Sequence, residues 1–198
     1  LVMALGAGGE VQKNSWSHSN RINDIFNSET SKSLNVSNNS STTSSYSTYS
    51  FDTSKSSYAD NKVSAFILPI CSDYNDNFRG FKLVIENKTN NDLNLVWDDT
   101  YYLMNGEARG GFMFEGVVFS KRTEQKQDML ILPKTKRQID IYPNEAVDFM
   151  KPAVIGSMVL PGGWTHEDLG TGEHGAYLKI KGKGIDKRIK LILTSRNN

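Results

Sequence analysis

The sequence has a single cysteine among its 198 residues. One thiol forms no intramolecular disulfide and cannot supply the paired ligands of a zinc ribbon or finger, so Cys71 reads as a small apolar residue. Charge of one sign is lacking as well, with 23 basic residues against 22 acidic and a net charge of +1. Such a chain has no global field to hold a polyanion, and nucleic acid is not an expected partner. No window approaches the roughly 18 uninterrupted apolar residues of a spanning helix, so no transmembrane helix is expected in this chain. The length fits one domain and excludes a large multi-domain enzyme. No Gly-x-Ser-x-Gly occurs, and Gly156-Ser157 sits in an apolar run without an obvious base, which argues against a serine or cysteine hydrolase. Gly110-Gly111 and Gly162-Gly163 do not stand between a parallel strand and a helix, as a phosphate cradle requires, and read as turns or bulges.

The N-terminal third has little that would form a core. Residues 28–57 hold 18 Ser or Thr in 30 positions, with too few apolar side chains to offset the entropy of folding. Residues 27–61 are accordingly expected to be a Ser/Thr/Asn-rich flexible linker. The alternative is that Tyr46, Tyr49, Phe51 and Tyr58 pin part of it to a domain surface. Residues 1–26 read as a signal remnant or N-terminal extension, because the small, apolar start Leu1 to Gly9 turns polar at Glu10. Asn20 to Phe26 has helical spacing too brief for a stable isolated helix.

From Val63 onward the hydrophobic period is two. Phe81, Leu83 and Ile85 fall on one face, as do Leu93, Leu95 and Trp97, and Asn87 to Asp92 between them reads as a hairpin loop. Trp97 is expected in the core. Further strands are predicted at Val63–Ile70, Tyr101–Met104, Gly111–Ser120, Met129–Leu132, Arg137–Tyr142 and Ala146–Phe149, punctuated by Pro133, Pro143, Pro152 and Pro161. At the C-terminus Ala176, Leu178 and Ile180 alternate with Tyr177, Lys179 and Lys181. Past Gly182-Lys183-Gly184, Ile185, Ile189, Leu191 and Leu193 alternate with polar residues. Seven basic residues against one acidic between Lys179 and Arg196 suit a phosphate or membrane patch, but the simpler reading is lysines that keep an exposed or edge strand from aggregating. About nine short strands with regular turn signals and no amphipathic helix predict an all-β fold, a single antiparallel β-sandwich over residues 62–198, with a closed barrel as the runner-up.

Few residues carry chemistry. His166 and His174 flank one Gly-rich loop, with Glu167, Asp168 and Glu173 nearby, so His166, His174 and Glu173 are the weak candidates for a metal. Their spacing matches no metal motif, and a polar loop beside a strand is the simpler reading. No catalytic residue, cofactor or metal is expected. Paired carboxylates at Asp98-Asp99 and Glu167-Asp168 read as turn formers, since nothing places either pair across a cleft. Aromatic side chains give the best binding candidates, Tyr101, Tyr102 and Trp164, whose flat faces could stack on a partner or a sugar ring.

The ordered run Asn87-Lys88-Thr89, Leu93-x-Leu95-x-Trp97-Asp98, Tyr102, Asn105-Gly106, Gly116-Val117-x-Phe119-Ser120-x-Arg122, Pro133, Ile141-x-Pro143-Asn144 and Gly162-Gly163-Trp164 resembles a family of small bacterial cell-envelope lipoproteins of uncharacterised function, over residues 78–194. The resemblance implies an immunoglobulin-like β-sandwich behind a signal sequence and linker, exported to the periplasm or outer membrane surface, with no catalytic residues to transfer. The sequence departs from that pattern in two ways: Gly8 stands where the lipid-accepting cysteine would follow Leu5-Gly6-Ala7, and the serine-rich segment is longer. Three function classes follow. The first is a non-catalytic, tethered interaction or structural module that binds another envelope protein, or itself, through a sheet edge or an aromatic-bearing loop. The second is a carbohydrate-binding module, with a glycan on Tyr101, Tyr102 and Trp164. The third is a metal-dependent enzyme using His166 and His174.

Overall fold

The computed structural model describes residues 48–73, 75–155 and 157–198; the expected signal remnant and most of the expected linker lie outside them. Sixteen strands follow in chain order: β1 (Tyr49–Asp52), β2 (Ser57–Ala59), β3 (Val63–Cys71), β4 (Phe78–Asn87), β5 (Leu93–Leu95), β6 (Tyr101–Met104), β7 (Glu107–Gly110), β8 (Phe112–Phe114), β9 (Met129–Ile131), β10 (Lys136–Pro143), β11 (Val147–Met150), β12 (Ala153–Ile155), β13 (Met158–Leu160), β14 (Gly163–His166), β15 (Gly172–Gly182) and β16 (Ile185–Asn197). The only helical pieces among the described residues are 3₁₀ turns at Trp97–Asp99, Phe119–Lys121 and Asn144–Ala146. The fold is all-β, as the alternation predicts.

Two large antiparallel sheets form, besides the two-stranded pairs β11-β14 and β12-β13. One runs β1-β16-β15-β5-β9, with β6 also on β15 and β7 beyond it; the other runs β2-β3-β4-β10-β8. They are separate sheets, not a closed barrel. β5 and β6 occupy successive stretches of β15, around Ile180 and Ala176 respectively, and the Trp97 turn between them drives its indole inward, 4% exposed. Every second side chain then points to a shared interior. Leu178, Ile180, Leu191 and Leu193 come from one sheet and Val63, Ile67, Leu83, Ile85 and Ile141 from the other. Aromatic rings bridge the layers, with Phe81 against Tyr102 at 6.2 Å and Phe78 edge-on to His174 at 5.2 Å between centroids. Burying each such side chain contributes about 1.5–3 kcal/mol.

Local chemistry explains the turns. Met104 pairs with Glu107, leaving Asn105 and Gly106 between them at φ 50° and 85°, the left-handed pair of the two-residue turn that suits a hairpin's twist. Asn87 to Asp92, expected to be a hairpin loop, is a crossover: β4 and β5 belong to different sheets. The buried Asn87 amide holds the crossover. Its Nδ2 donates to the carbonyls of Asn91, Ile131 and Leu132 at 2.8–3.2 Å, and its Oδ1 accepts from the Thr89 N–H and hydroxyl. The strand expected over Gly111–Ser120 stops at Phe114, because Gly116 turns at φ 94° and the chain then winds into the 3₁₀ turn Phe119–Lys121. Lys179 lies on β15, inside the sheet rather than at its edge, and pairs with Asp186. The outer edge is β16, which β1 covers only over residues 194–197.

The folded unit begins earlier than the expected boundary at residue 62. β1 joins β16, β2 joins β3, and between them the Lys55 carbonyl accepts from Ile192 N–H and the Ser56 carbonyl from Ile67 N–H, each at 2.9 Å. The pinning alternative therefore holds for three of its residues. Tyr49 is buried at 8% exposure, Phe51 stacks edge-on to Phe78, and Lys187 lies over the Tyr58 ring at 5.5 Å. Serine hid β1, whose inward face is Tyr49 and Phe51 alone, and β2 is exposed along its length, with no apolar face to betray it. Removing residues 1–60 is expected to lower the melting midpoint by about 6–12 °C relative to removing 1–47, the effect of losing about 3 kcal/mol in a domain of this size; equal midpoints in thermal denaturation would contradict the assignment of β1 and β2.

Candidate interaction surface

The most conspicuous part of the surface is a long hairpin standing off the two sheets. β11 pairs with β14, with Val147 opposite His166 and Phe149 opposite Trp164; β12 continues the arm and pairs with β13, with Val154 opposite Val159. Its base is anchored. Ala146 and Val147 are buried, Glu167 N–H donates to the Ala146 carbonyl at 2.8 Å, and Leu169 N–H donates to the Phe78 carbonyl. The arms narrow at Pro152 and Gly162, where a side chain on Gly162 would sit 2.5 Å from the Pro152 ring and 2.9 Å from the Met150 carbonyl. Only glycine fits that approach.

Between this base and the loop over residues 115–128 lies an open groove of about 1200 Å³. Trp164 and His166, two residues apart on β14, share its wall with Tyr142, whose ring lies 4.1 Å from the His166 imidazole. Trp97, stacked on Phe114 at 4.2 Å, lines the same groove. The charged lining is mixed: Lys121, Lys126 and Arg137 against Glu115, Glu124, Asp128 and Asp140. The loop is tied down by its main chain. Lys126 N–H donates to Asp98 Oδ1 at 3.0 Å, and the Arg122 carbonyl accepts from Lys126 Nζ at 2.6 Å and from Asn144 Nδ2 at 3.0 Å. A second groove on the other side of this loop is lined by Tyr101, Arg109 and Glu145 among others.

The residues expected to bind do not gather. Trp164 is half-buried on the first groove and Tyr101, 39% exposed, is on the second. Tyr102 is withdrawn altogether: it is 1% exposed and its hydroxyl meets His174 Nδ1 at 2.7 Å. Alternation puts Tyr102 inward and Tyr101 outward, so two neighbours in sequence cannot share one platform. The two histidines are also apart in role. His174 packs inside the core between Tyr102 and Phe78, while His166 stands on the groove wall; Glu173 Nα, not its carboxylate, bonds Asn105 Oδ1 at 3.0 Å. Among the described residues no three His, Cys, Asp or Glu side chains cluster as metal ligands would.

Asp168, read as a turn former, does more. Its Oδ2 accepts from the Tyr49 hydroxyl at 2.7 Å and its Oδ1 from Phe78 N–H and Gly170 N–H, tying the loop before β15 to both sheets. Burial, and then this carboxylate, push the Tyr49 phenol up to about 12. Asp98 and Asp99 split, one to the Lys126 main chain and the other 3.9 Å from Lys181. Sequence reasoning missed the groove residues Tyr142 and Phe114, which lay in predicted strands and gave no sign of facing a surface. It also missed the hairpin tip, whose signal was the Pro152 to Pro161 interval itself.

No protein-family model matches the chain, and no curated protein or solved structure matches it either.

Burial pulls both imidazoles below their ordinary 6.5: His166 with help from the Arg79 charge, His174 against opposition from the backbone of Gly170 and Thr171 and the charge of Asp168. Below pH 6.5 the unfolded chain takes up protons that the folded one refuses, so stability falls as pH falls. The melting midpoint is expected to drop between pH 7 and pH 5, and to drop less in His166→Gln. A midpoint that is flat or rises toward pH 5 would contradict the burial of these rings.

Proposed function

We propose that the domain is a non-catalytic interaction module of the bacterial cell envelope, an immunoglobulin-like sandwich displayed on the N-terminal segment, and that it binds an extended segment of another envelope protein in the groove beside Trp164. The resemblance over residues 78–194 supports the location. The observation that carries the binding role is the groove itself: a Trp, a Tyr and a His on one wall, bearing mixed and nearly balanced charge. Flat aromatic area gives contact energy at small entropic cost, and scattered charges of both signs fix register on a peptide rather than concentrate on one reacting atom. The groove brings together no nucleophile with a base, and its carboxylates alternate with cations.

A glycan is the second reading. It is favoured by the company of Trp164, where Gln125, Gln127, Gln138 and Asp140 line the same groove and could take sugar hydroxyls while the indole stacks on a ring. The platform of Tyr101, Tyr102 and Trp164 does not form, so such a glycan would rest on Trp164 and Tyr142 instead.

Site-specific photocrosslinking separates the readings. A photoreactive residue at Gln138 on the groove is expected to give a discrete protein adduct in intact bacterial cells, lost in Trp164→Ala, with an unchanged melting midpoint. Adducts from Lys190 on the outer sheet face but none from the groove would overturn the proposal. Binding of Trp164-containing protein to an oligosaccharide array without any protein adduct would favour the glycan.

A further inference from the structure

Among the described residues the two strands of the hairpin tip pair with each other alone, and their composition is unusual for a surface. Between Pro152 and Pro161 the chain carries no charged residue. Val154, Ile155, Met158 and Val159 are 71%, 66%, 63% and 68% exposed. Neighbours along a strand point to opposite faces, so exposure of both Val154 and Ile155, and of both Met158 and Val159, leaves the two-stranded ribbon apolar on its two faces at once. A flat protein surface covers one face of such a ribbon. An apolar fluid covers both.

We infer that the two strands of this tip, Ala153–Ile155 and Met158–Leu160, insert into the boundary between headgroups and acyl chains of a lipid bilayer. Three observations commit the tip to lipid rather than to a protein partner. First, the apolar side chains surround the ribbon. Second, the layer beneath it has the composition of a membrane interface: Phe149 and Trp164 face each other across the strands, with Lys151 exposed in the chain between Phe149 and the tip. The Phe149 ring lies 5.9 Å from Phe119, and Arg122 lies over Phe119 at 4.2 Å. Aromatic rings and cations at this level suit headgroups and anionic lipid. Third, the dimensions suit shallow insertion. Three paired residues per arm reach about 10 Å, the depth at which interfacial segments lie, while a spanning strand needs about 9–11 residues. Pro152 and Pro161 lack N–H donors, so the level where the ribbon enters carries fewer polar groups to desolvate. The inference shares Trp164 with the groove wall but takes nothing from the groove's occupant.

The test uses the full chain and vesicles of phosphatidylcholine, alone or with about a third phosphatidylglycerol. The protein is expected to co-sediment with both and more with the anionic mixture; the cross-strand pair Val154→Asp/Val159→Asp should reduce the bound fraction about tenfold, since charge at that depth is strongly disfavoured. Val154→Leu/Val159→Leu should bind as the parent does. Both pairs lie at exposed positions, so an unchanged melting midpoint verifies folding. In Val159→Trp the new indole should be quenched by bromine near the lipid carbonyls more than by bromine at the chain ends. Protein left in the supernatant, or aspartate variants that bind undiminished, would overturn insertion. So would a dimer that the aspartates dissolve without any lipid binding, which would assign the tip to a second copy. Groove adducts that survive any of these failures leave the interaction reading standing.

Discussion

The packing of one sheet's inner face against the other's governs the rest of this molecule. Each strand contributes every second side chain to a common interior, and the rings of Phe78, Phe81 and Phe112 meet His174 and Tyr102 across the gap between layers. Close packing at this density leaves no freedom to slide a strand by one residue, since a slip would turn its whole apolar set outward. The outward positions are consequently fixed too. Tyr101 faces solvent because Tyr102 must face Phe81, and Lys190 faces outward because Ile189 and Leu191 do not.

Polar side chains at the margins of that interior hold the connections. Asn87 satisfies three carbonyls where the chain passes from one sheet to the other. Asp168 takes a phenol and two main-chain donors where the hairpin returns to β15. Asp98 and Asn144 fix the loop that separates the two grooves. Each is a short Asn or Asp whose side chain replaces a sheet ladder at the point where the ladder ends. Carboxylates that could have suggested chemistry therefore act as fasteners, and the groove keeps its shape because its loop is tied at both Arg122 and Lys126.

The period-two pattern made the all-β class legible, along with the C-terminal hairpin, the Trp97 core position and the limits of β6. What it could not show was partnership. Alternation says which side of a strand is apolar, not which strand lies beside it, so the polar Asn87 to Asp92 stretch read as a hairpin although it crosses between sheets. β1 was hidden by serine, whose abundance outweighed Tyr49 and Phe51, and β2 by having no apolar face. The β6–β7 turn was written in Asn105-Gly106, and the fastening roles of Asn87 and Asp168 were not, because their partners lie 44 and 119 residues away. Binding residues were the least legible. Tyr102 and Trp164 are both aromatic beside polar sequence, and only the register of the sheets separates a core ring from a groove wall.

The described residues divide into a double layer and a projecting arm, and native-state hydrogen exchange reads that division directly. Amides of β3, β4, β15 and the paired part of β16 should exchange only through global unfolding, while those of β12 and β13 should exchange orders of magnitude faster through local opening. Equal protection of the 153–160 amides and the 176–182 amides would mean that the arm is part of the core, and would contradict the account.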